Sequence, residues 1–149
     1  FMRAGAVNMA GIAGFGMASR IMRSKRDDWK KVESFRDMIE LELKSVTNVS
    51  VVGKEVKRLG NMSMLSFPGS DAAFLAAEME RMHGMCVGIG SAAEPGSFSR
   101  VLKAMGKSRS LSGSTLRFRF GPWFNKAAAQ NIIVSICSAL REEKGRQIV

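Results

Sequence analysis

The chain has 149 residues, enough for one domain with its own core, and 46% of them are hydrophobic, which excludes a disordered chain. No apolar run reaches the roughly 18 residues of a membrane span, and a single histidine without any CxxC pair excludes a standard zinc site. The formal net charge of +10 favours an acidic partner, either nucleic acid or an anionic protein surface. A protein of a compartment rich in basic chains, such as the mitochondrial matrix, would show the same charge.

The first 24 residues predict a glycine-rich helix that follows a turn at residues 3–6. Asn8 is the expected N-cap, and apolar residues follow it at helical spacing: Met9, Ile12, Phe15 and Ile21. A packed helix is favoured over a signal peptide because no basic segment precedes the run. Gly11, Gly14 and Gly16 predict close helix packing. Their GxxGxG pattern follows no strand, so a phosphate-binding loop is not favoured.

Residues 27–46 show the clearest helical periodicity of the chain. The elements expected after it are strands over 49–53 and 62–67, a helix from Ser70 or Asp71 to Gly84, a strand over 85–89, a helix ending at Gly106, a strand over 114–120, and a helix from Asn125. This order predicts an α/β fold with a three- to four-stranded sheet, helices packed mainly on one face, and two helices in front. We expect a single domain, with a helical lead-in over 1–47 and an α/β part over 48–149. Because the chain starts at Phe1, we also expect it to be processed, truncated or only one part of a longer chain.

The residues alone reveal no catalytic constellation. His83 is expected to have a structural role at a helix end, and Cys86 and Cys137 to be buried small hydrophobes in a reducing compartment. The acidic residues alternate with Lys and Arg and are expected on solvated helix faces. Arg117 is the exception, because a strand would hold its guanidinium on the polar face of a sheet, where it can bind a carboxylate bidentately. A solvated or structural arginine is the alternative.

Four short motifs follow one another along most of the chain. They are RAGA with GIAGFG over 3–16, RLGN with LSFPG over 58–69, GSAAEP with VLKAMG over 90–106, and STLRFRFG over 114–121. In this order and spacing they resemble the C-terminal part of cysteine desulfurases, which belong to the class V aminotransferase group of pyridoxal-phosphate enzymes. The resemblance implies the small C-terminal domain of that fold.

The resemblance also implies that most functional residues of the family are replaced. The cysteine that takes sulfur from the substrate as a persulfide falls at Ala93, and the threonine that helps to bind the cofactor phosphate falls at Ala6. Arg117 matches the arginine that grips the substrate carboxylate. The lysine that binds pyridoxal phosphate belongs to a preceding large domain. We therefore expect no cofactor, no metal and no catalytic residue in this chain.

These features predict a non-catalytic cysteine-desulfurase-like domain that serves as a structural or interaction subunit of a larger assembly. An organellar ribonucleoprotein such as a mitochondrial ribosome, located in the matrix, fits the charge, with rRNA, other proteins or a desulfurase-like paralogue as partners. The candidate contacts are basic: Arg20, Arg23, Lys25, Arg26, Lys30, Lys31, Lys54, Lys57 and Arg58. The alternative is a C-terminal piece of a split or truncated pyridoxal-phosphate-dependent cysteine desulfurase, or its regulatory heterodimer partner.

Overall fold

A computed structural model of the chain describes residues 5–89 and 99–146. Its elements in chain order are α1 (Met9–Ser24), α2 (Arg26–Val46), β1 (Ser50–Val51), β2 (Met62–Ser66), α3 (Ala72–His83), β3 (Gly88–Ile89), α4 (Arg100–Ala104), α5 (Arg109–Gly113), β4 (Thr115–Arg119) and α6 (Lys126–Arg146). The predicted order is confirmed, with the short helix α5 as an addition.

The four strands form one antiparallel sheet in the order β1-β2-β4-β3. The central pair runs from Met62 opposite Arg119 to Ser66 opposite Thr115. Both outer strands are only two residues long, so the predicted strands over 49–53 and 85–89 were too long. A sheet of three to four strands is confirmed.

The core lies between one face of this sheet and three helices, α2, α3 and α6. Leu116 and Phe118 of β4 are buried on that face, where alternate residues of a strand point the same way. Leu43 of α2 and Ile136 of α6 pack into the same cluster. The prediction of helices mainly on one face is confirmed, and α2 is a full part of the core.

Side chains cap the helices where the sequence indicated. The Asp71 side chain accepts a hydrogen bond from the backbone N–H of Ala73 at the start of α3. At the other end Gly84 adopts the left-handed conformation, with φ of 62°, that glycine reaches without a Cβ clash. The Asn125 side chain accepts from the N–H of Ala128 and begins α6.

Helix α1 does not pack as predicted. Asn8 caps it by accepting from the N–H of Gly11 at 2.9 Å, as expected, but none of its residues is buried. Phe15 is 77% exposed, and a Cβ added to Gly14 or Gly16 would meet nothing within 4 Å. Close packing through these glycines is therefore wrong for the described residues. None of the described helices is long and apolar enough to span a bilayer.

Two acidic residues depart from the predicted solvated faces, because both are buried and hydrogen-bonded. Glu40 of α2 accepts two hydrogen bonds from the Arg58 guanidinium, at 2.7 and 2.9 Å, and one from the Ser63 hydroxyl at 2.7 Å. Glu143 of α6 accepts from the backbone N–H of Asp71 at 2.7 Å and so ties α6 to the start of α3. These bonds compensate for the loss of water around each carboxylate.

Candidate functional site

Arg117 lies on the middle of β4, a strand that is paired on both sides. Its neighbours Leu116 and Phe118 point into the core, whereas Arg117 and Arg119 are exposed on the opposite face. The partner residues across the sheet are Met64 on β2 and Gly88 on β3. Two flanking strands fix the backbone at this point, so the base of the Arg117 side chain has a defined position. The polar-face placement expected from strand alternation is found.

The charge of Arg117 is not neutralised within the part of the chain that the structure describes. No Asp or Glu carboxylate among those residues forms an ion pair with Arg117 or with Arg119. An exposed guanidinium of this kind has its donors available for a planar anion, and a carboxylate matches their spacing. The arrangement can therefore bind a carboxylate group.

Arg58, in contrast, is committed to an internal partner. Its bidentate pair with Glu40 joins the segment after β1 to α2, and the two side chains are 17% and 8% exposed. Burial is the largest influence on Glu40 and opposes its ionisation, but the hydrogen bonds from Arg58 and Ser63 with the nearby guanidinium charges outweigh it and lower its pKa. The same pair raises the pKa of Arg58. Arg58 therefore supports the fold.

The other basic candidates are exposed and spread over α1, α2 and the segment after β1. Three of the lysines pair with aspartates one helical turn away: Lys25 with Asp28, Lys30 with Asp27, and Lys31 with Asp28. Within residues 5–89 and 99–146, Arg20, Arg23 and Arg26 form no ion pair. Lys54 lies beside Lys44, and this neighbouring ammonium group lowers the pKa of Lys44. Lys57 is exposed.

The remaining predictions concern two alanines at positions where the family has functional residues, the two cysteines and the histidine. Ala93, the position matched to the reactive cysteine, lies outside the described residues, while Ala6 is exposed ahead of α1. Cys86 was expected to be buried in a strand, but it is exposed and lies two residues before the start of β3. Cys137 is partly buried, and His83 is the exposed last residue of α3. No cluster of His, Cys, Asp or Glu that could hold a metal occurs among the residues described.

Comparison with known proteins gives these features a family context. No protein-family model matches the chain. A cysteine desulfurase of Sinorhizobium fredii is 36% identical over 120 residues, which cover 78% of this chain and 31% of the relative. A cysteine desulfurase of Frankia is 36% identical over 126 residues, covering 80% of this chain and 29% of the relative.

The solved structures agree with the sequence relatives. The X-ray structure of a NifS-like protein from Rickettsia africae aligns with 93% of this chain and 36% of its own, with a TM-score of 0.80 and 26% identity. This chain is homologous to the C-terminal region of cysteine desulfurases. The resemblance seen in the sequence motifs and the class V aminotransferase-like fold are thus confirmed. This chain spans about a third of the length of the curated relatives that it matches.

This homology corrects the expectation about cofactors. The sequence motifs were taken to predict none, yet the homologous cysteine desulfurases are pyridoxal-phosphate enzymes. Such a site needs a lysine for the Schiff base and an acidic partner for the pyridinium nitrogen. The exposed Ala6, at the position matched to the phosphate-binding threonine, has no hydroxyl for the phosphate. The described residues alone do not fit the cofactor, and their own contribution is the guanidinium of Arg117.

Proposed function

We propose that this chain is the C-terminal domain of a pyridoxal-phosphate-dependent, cysteine-desulfurase-like protein, and that Arg117 binds the carboxylate of an amino-acid ligand. The observation that carries this proposal is the exposed guanidinium on a strand paired on both sides, with no described carboxylate to neutralise it. The arginine that grips the substrate carboxylate falls at this position in the family that the motifs resemble.

The proposal is limited to ligand binding by this domain. Ala93 has no thiol, so a persulfide has no sulfur atom on which to form at that position. In the family that the motifs resemble, the lysine that binds the cofactor belongs to a preceding large domain, and this chain matches only about a third of the relatives' length. In this arrangement Arg117 orients the carboxylate, and any reaction at the amino acid proceeds without sulfur storage at residue 93.

The experiment compares Arg117→Ala with Arg119→Ala in the full-length protein. Arg119 is a matched control, because it lies two residues along the same strand, on the same face, and is also exposed. Isothermal titration with L-alanine, an amino acid without a thiol, measures carboxylate binding. We expect Arg117→Ala to weaken binding at least about tenfold, the value of one charge-assisted hydrogen bond, and Arg119→Ala to change it by less than about twofold. Equal losses in both variants would exclude a specific role for Arg117.

A second candidate is a non-catalytic subunit of a larger assembly, including an RNA-containing one in the mitochondrial matrix. Its support is the net charge of +10 together with three exposed arginines near the α1–α2 junction: Arg20, Arg23 and Arg26. Phosphate groups attract such residues without requiring a defined pocket. The relatives named above are desulfurases and NifS-like proteins, so a ribosomal role has no support from them.

A further inference from the structure

Gly88 occupies the position directly opposite Arg117 in the β3–β4 pair. Residues opposite each other in an antiparallel pair present their side chains on the same face of the sheet. A Cβ placed on Gly88 would lie 3.0 Å from Nη2, 3.1 Å from Nε and 3.4 Å from Cζ of Arg117. The two nitrogen distances are shorter than ordinary van der Waals separations, so a side chain at position 88 would shift the guanidinium by a few tenths of an ångström.

The backbone itself does not demand glycine at this position. The described glycines with positive φ are Gly5, Gly53, Gly69, Gly84 and Gly106, and Gly88 is not among them. An alanine could adopt the same backbone conformation without strain. What a side chain at position 88 would meet is therefore the guanidinium of Arg117, which would have to move by a few tenths of an ångström.

The three distances also show which edge of the guanidinium faces Gly88. The added Cβ would be almost equally far from Nε and Nη2, and farther from the carbon between them. It would therefore stand in front of the Nε–Nη2 edge. A guanidinium has a second edge with two donors, Nη1 and Nη2, and this edge is left for a bidentate carboxylate.

We propose that Gly88 is a positioning residue for Arg117, because its missing side chain lets the guanidinium lie against β3 and present its Nη1–Nη2 edge to the carboxylate of an amino acid. The identity of the ligand depends on the proposed function. The position of the guanidinium depends only on the contact between residues 88 and 117. Gly88 acts through Arg117 and touches no reacting atom.

The first experiment measures the guanidinium directly in the full-length protein. Phenylglyoxal modifies exposed arginines, and mass spectrometry of peptides reports its rate at Arg117. Gly88→Ala should push the guanidinium away from β3 and raise that rate about threefold. Gly113→Ala is the control, because a Cβ on this exposed residue of α5 meets nothing within 4 Å. An unchanged rate in Gly88→Ala overturns the inference.

The second experiment separates positioning from a general loss of structure. Gly88→Ala should keep or slightly raise the melting temperature, since alanine loses less chain entropy on folding than glycine. The same variant should bind L-alanine about fivefold more weakly, and it should add no further loss in the background of Arg117→Ala. Weaker binding that accompanies a lower melting temperature, or that persists without Arg117, contradicts the positioning role.

The two proposals fail in different ways. If Gly88→Ala changes the reactivity of Arg117 while Arg117→Ala still binds L-alanine normally, positioning stands and the carboxylate function is wrong. If Arg117→Ala loses binding while Gly88→Ala changes neither reactivity nor affinity, the carboxylate function stands and the role of Gly88 is wrong.

Discussion

Two arginines of this chain have the same side chain and opposite roles, because their neighbours differ. Arg58 makes a bidentate contact with the buried carboxylate of Glu40, so its charge is used inside the fold. Arg117 projects from a sheet face without a described carboxylate partner and beside a glycine. The residue type is the same in both cases. The two roles follow from position, because Arg58 lies in a loop that contacts α2 and Arg117 lies on a strand.

The Glu40–Arg58 pair predicts a specific loss of stability. Arg58→Met should lower the free energy of unfolding at neutral pH by about 3 kcal/mol, because it leaves a buried carboxylate without its partner. Urea denaturation followed by circular dichroism measures this change. The control is Arg81→Met, which breaks the pair with Glu78 on α3, where the Arg81 side chain is 64% exposed, and it should have a much smaller effect. Similar losses in both variants would contradict a stabilising role specific to the buried pair.

The same pair predicts how stability depends on pH. The folded-state pKa of Glu40 lies below its ordinary value of 4.5, so ionised Glu40 stabilises the fold above pH 4.5. That contribution is lost as the pH falls below 4.5 and through the folded value. The stability difference between the wild type and Arg58→Met should therefore shrink in that range. A difference that stays constant down to the acid transition would show that Glu40 is not the titrating group.

Helices α1 and α2 follow each other in the chain, but they differ in what they bury. Helix α2 places Val32, Ile39 and Leu43 in the core, while α1 buries nothing. A mutation in α1 should therefore change the helix locally and leave global unfolding unaffected. Substitution of the glycines in α1 should therefore change the helix content without changing the midpoint of unfolding.

Gly14→Ala and Gly16→Ala should increase the helix content of α1, each favouring the helical state by about 1 kcal/mol. The measurement is far-UV circular dichroism of the double variant, with an unchanged midpoint of thermal unfolding. Gly84→Ala is the contrasting variant: its φ of 62° makes alanine strained, and the midpoint should fall by the equivalent of about 1 kcal/mol. A lower midpoint in the α1 double variant would mean that these glycines make a close contact after all.

At the level of elements, local patterns predicted most of the fold and missed the buried polar contacts. Caps at Asn8, Asp71 and Gly84 depend on neighbouring residues only, so they were found correctly. The pairing of Glu40 with Arg58 is a contact across the fold, and a search for surface charge patterns passed over it. The sequence did contain a sign of this burial: Glu40 lies eight residues after Val32, on the apolar face of α2 that packs against the core.

The alternation of residues along a strand predicted one feature of the site, the face of the sheet on which Arg117 lies. It placed Arg117 on the face opposite Leu116, and the structure agrees. The contact with Gly88 could not be derived, because it depends on the pairing of β3 with β4, two strands separated by α4 and α5. Strand order is set by contacts distant in sequence, which local spacing does not contain.

At the scale of the whole molecule, the net charge of +10 allows the second candidate function, contact with RNA, to be tested through the salt dependence of binding. Counterion release predicts that binding to a single-stranded RNA weakens about tenfold between roughly 50 and 200 mM salt for about two to three phosphate contacts. The triple variant Arg20→Ala, Arg23→Ala, Arg26→Ala should reduce that salt dependence. Filter binding measures it, with Lys103→Ala, Lys107→Ala, Arg109→Ala as the charge-matched control. Equal effects of both triple variants, or no binding at low salt, would contradict an RNA contact at the α1–α2 junction.

The short outer strands of the sheet have a consequence for how copies of the protein can associate. β1 and β3 each span two residues, so each edge offers only a few backbone groups for a further strand. Long, flat edges are what allow sheets of different molecules to join into fibrils. Among the described residues, these short edges limit edge-to-edge growth of the sheet, whereas the exposed apolar residues of α1 offer a side-chain surface for association of copies.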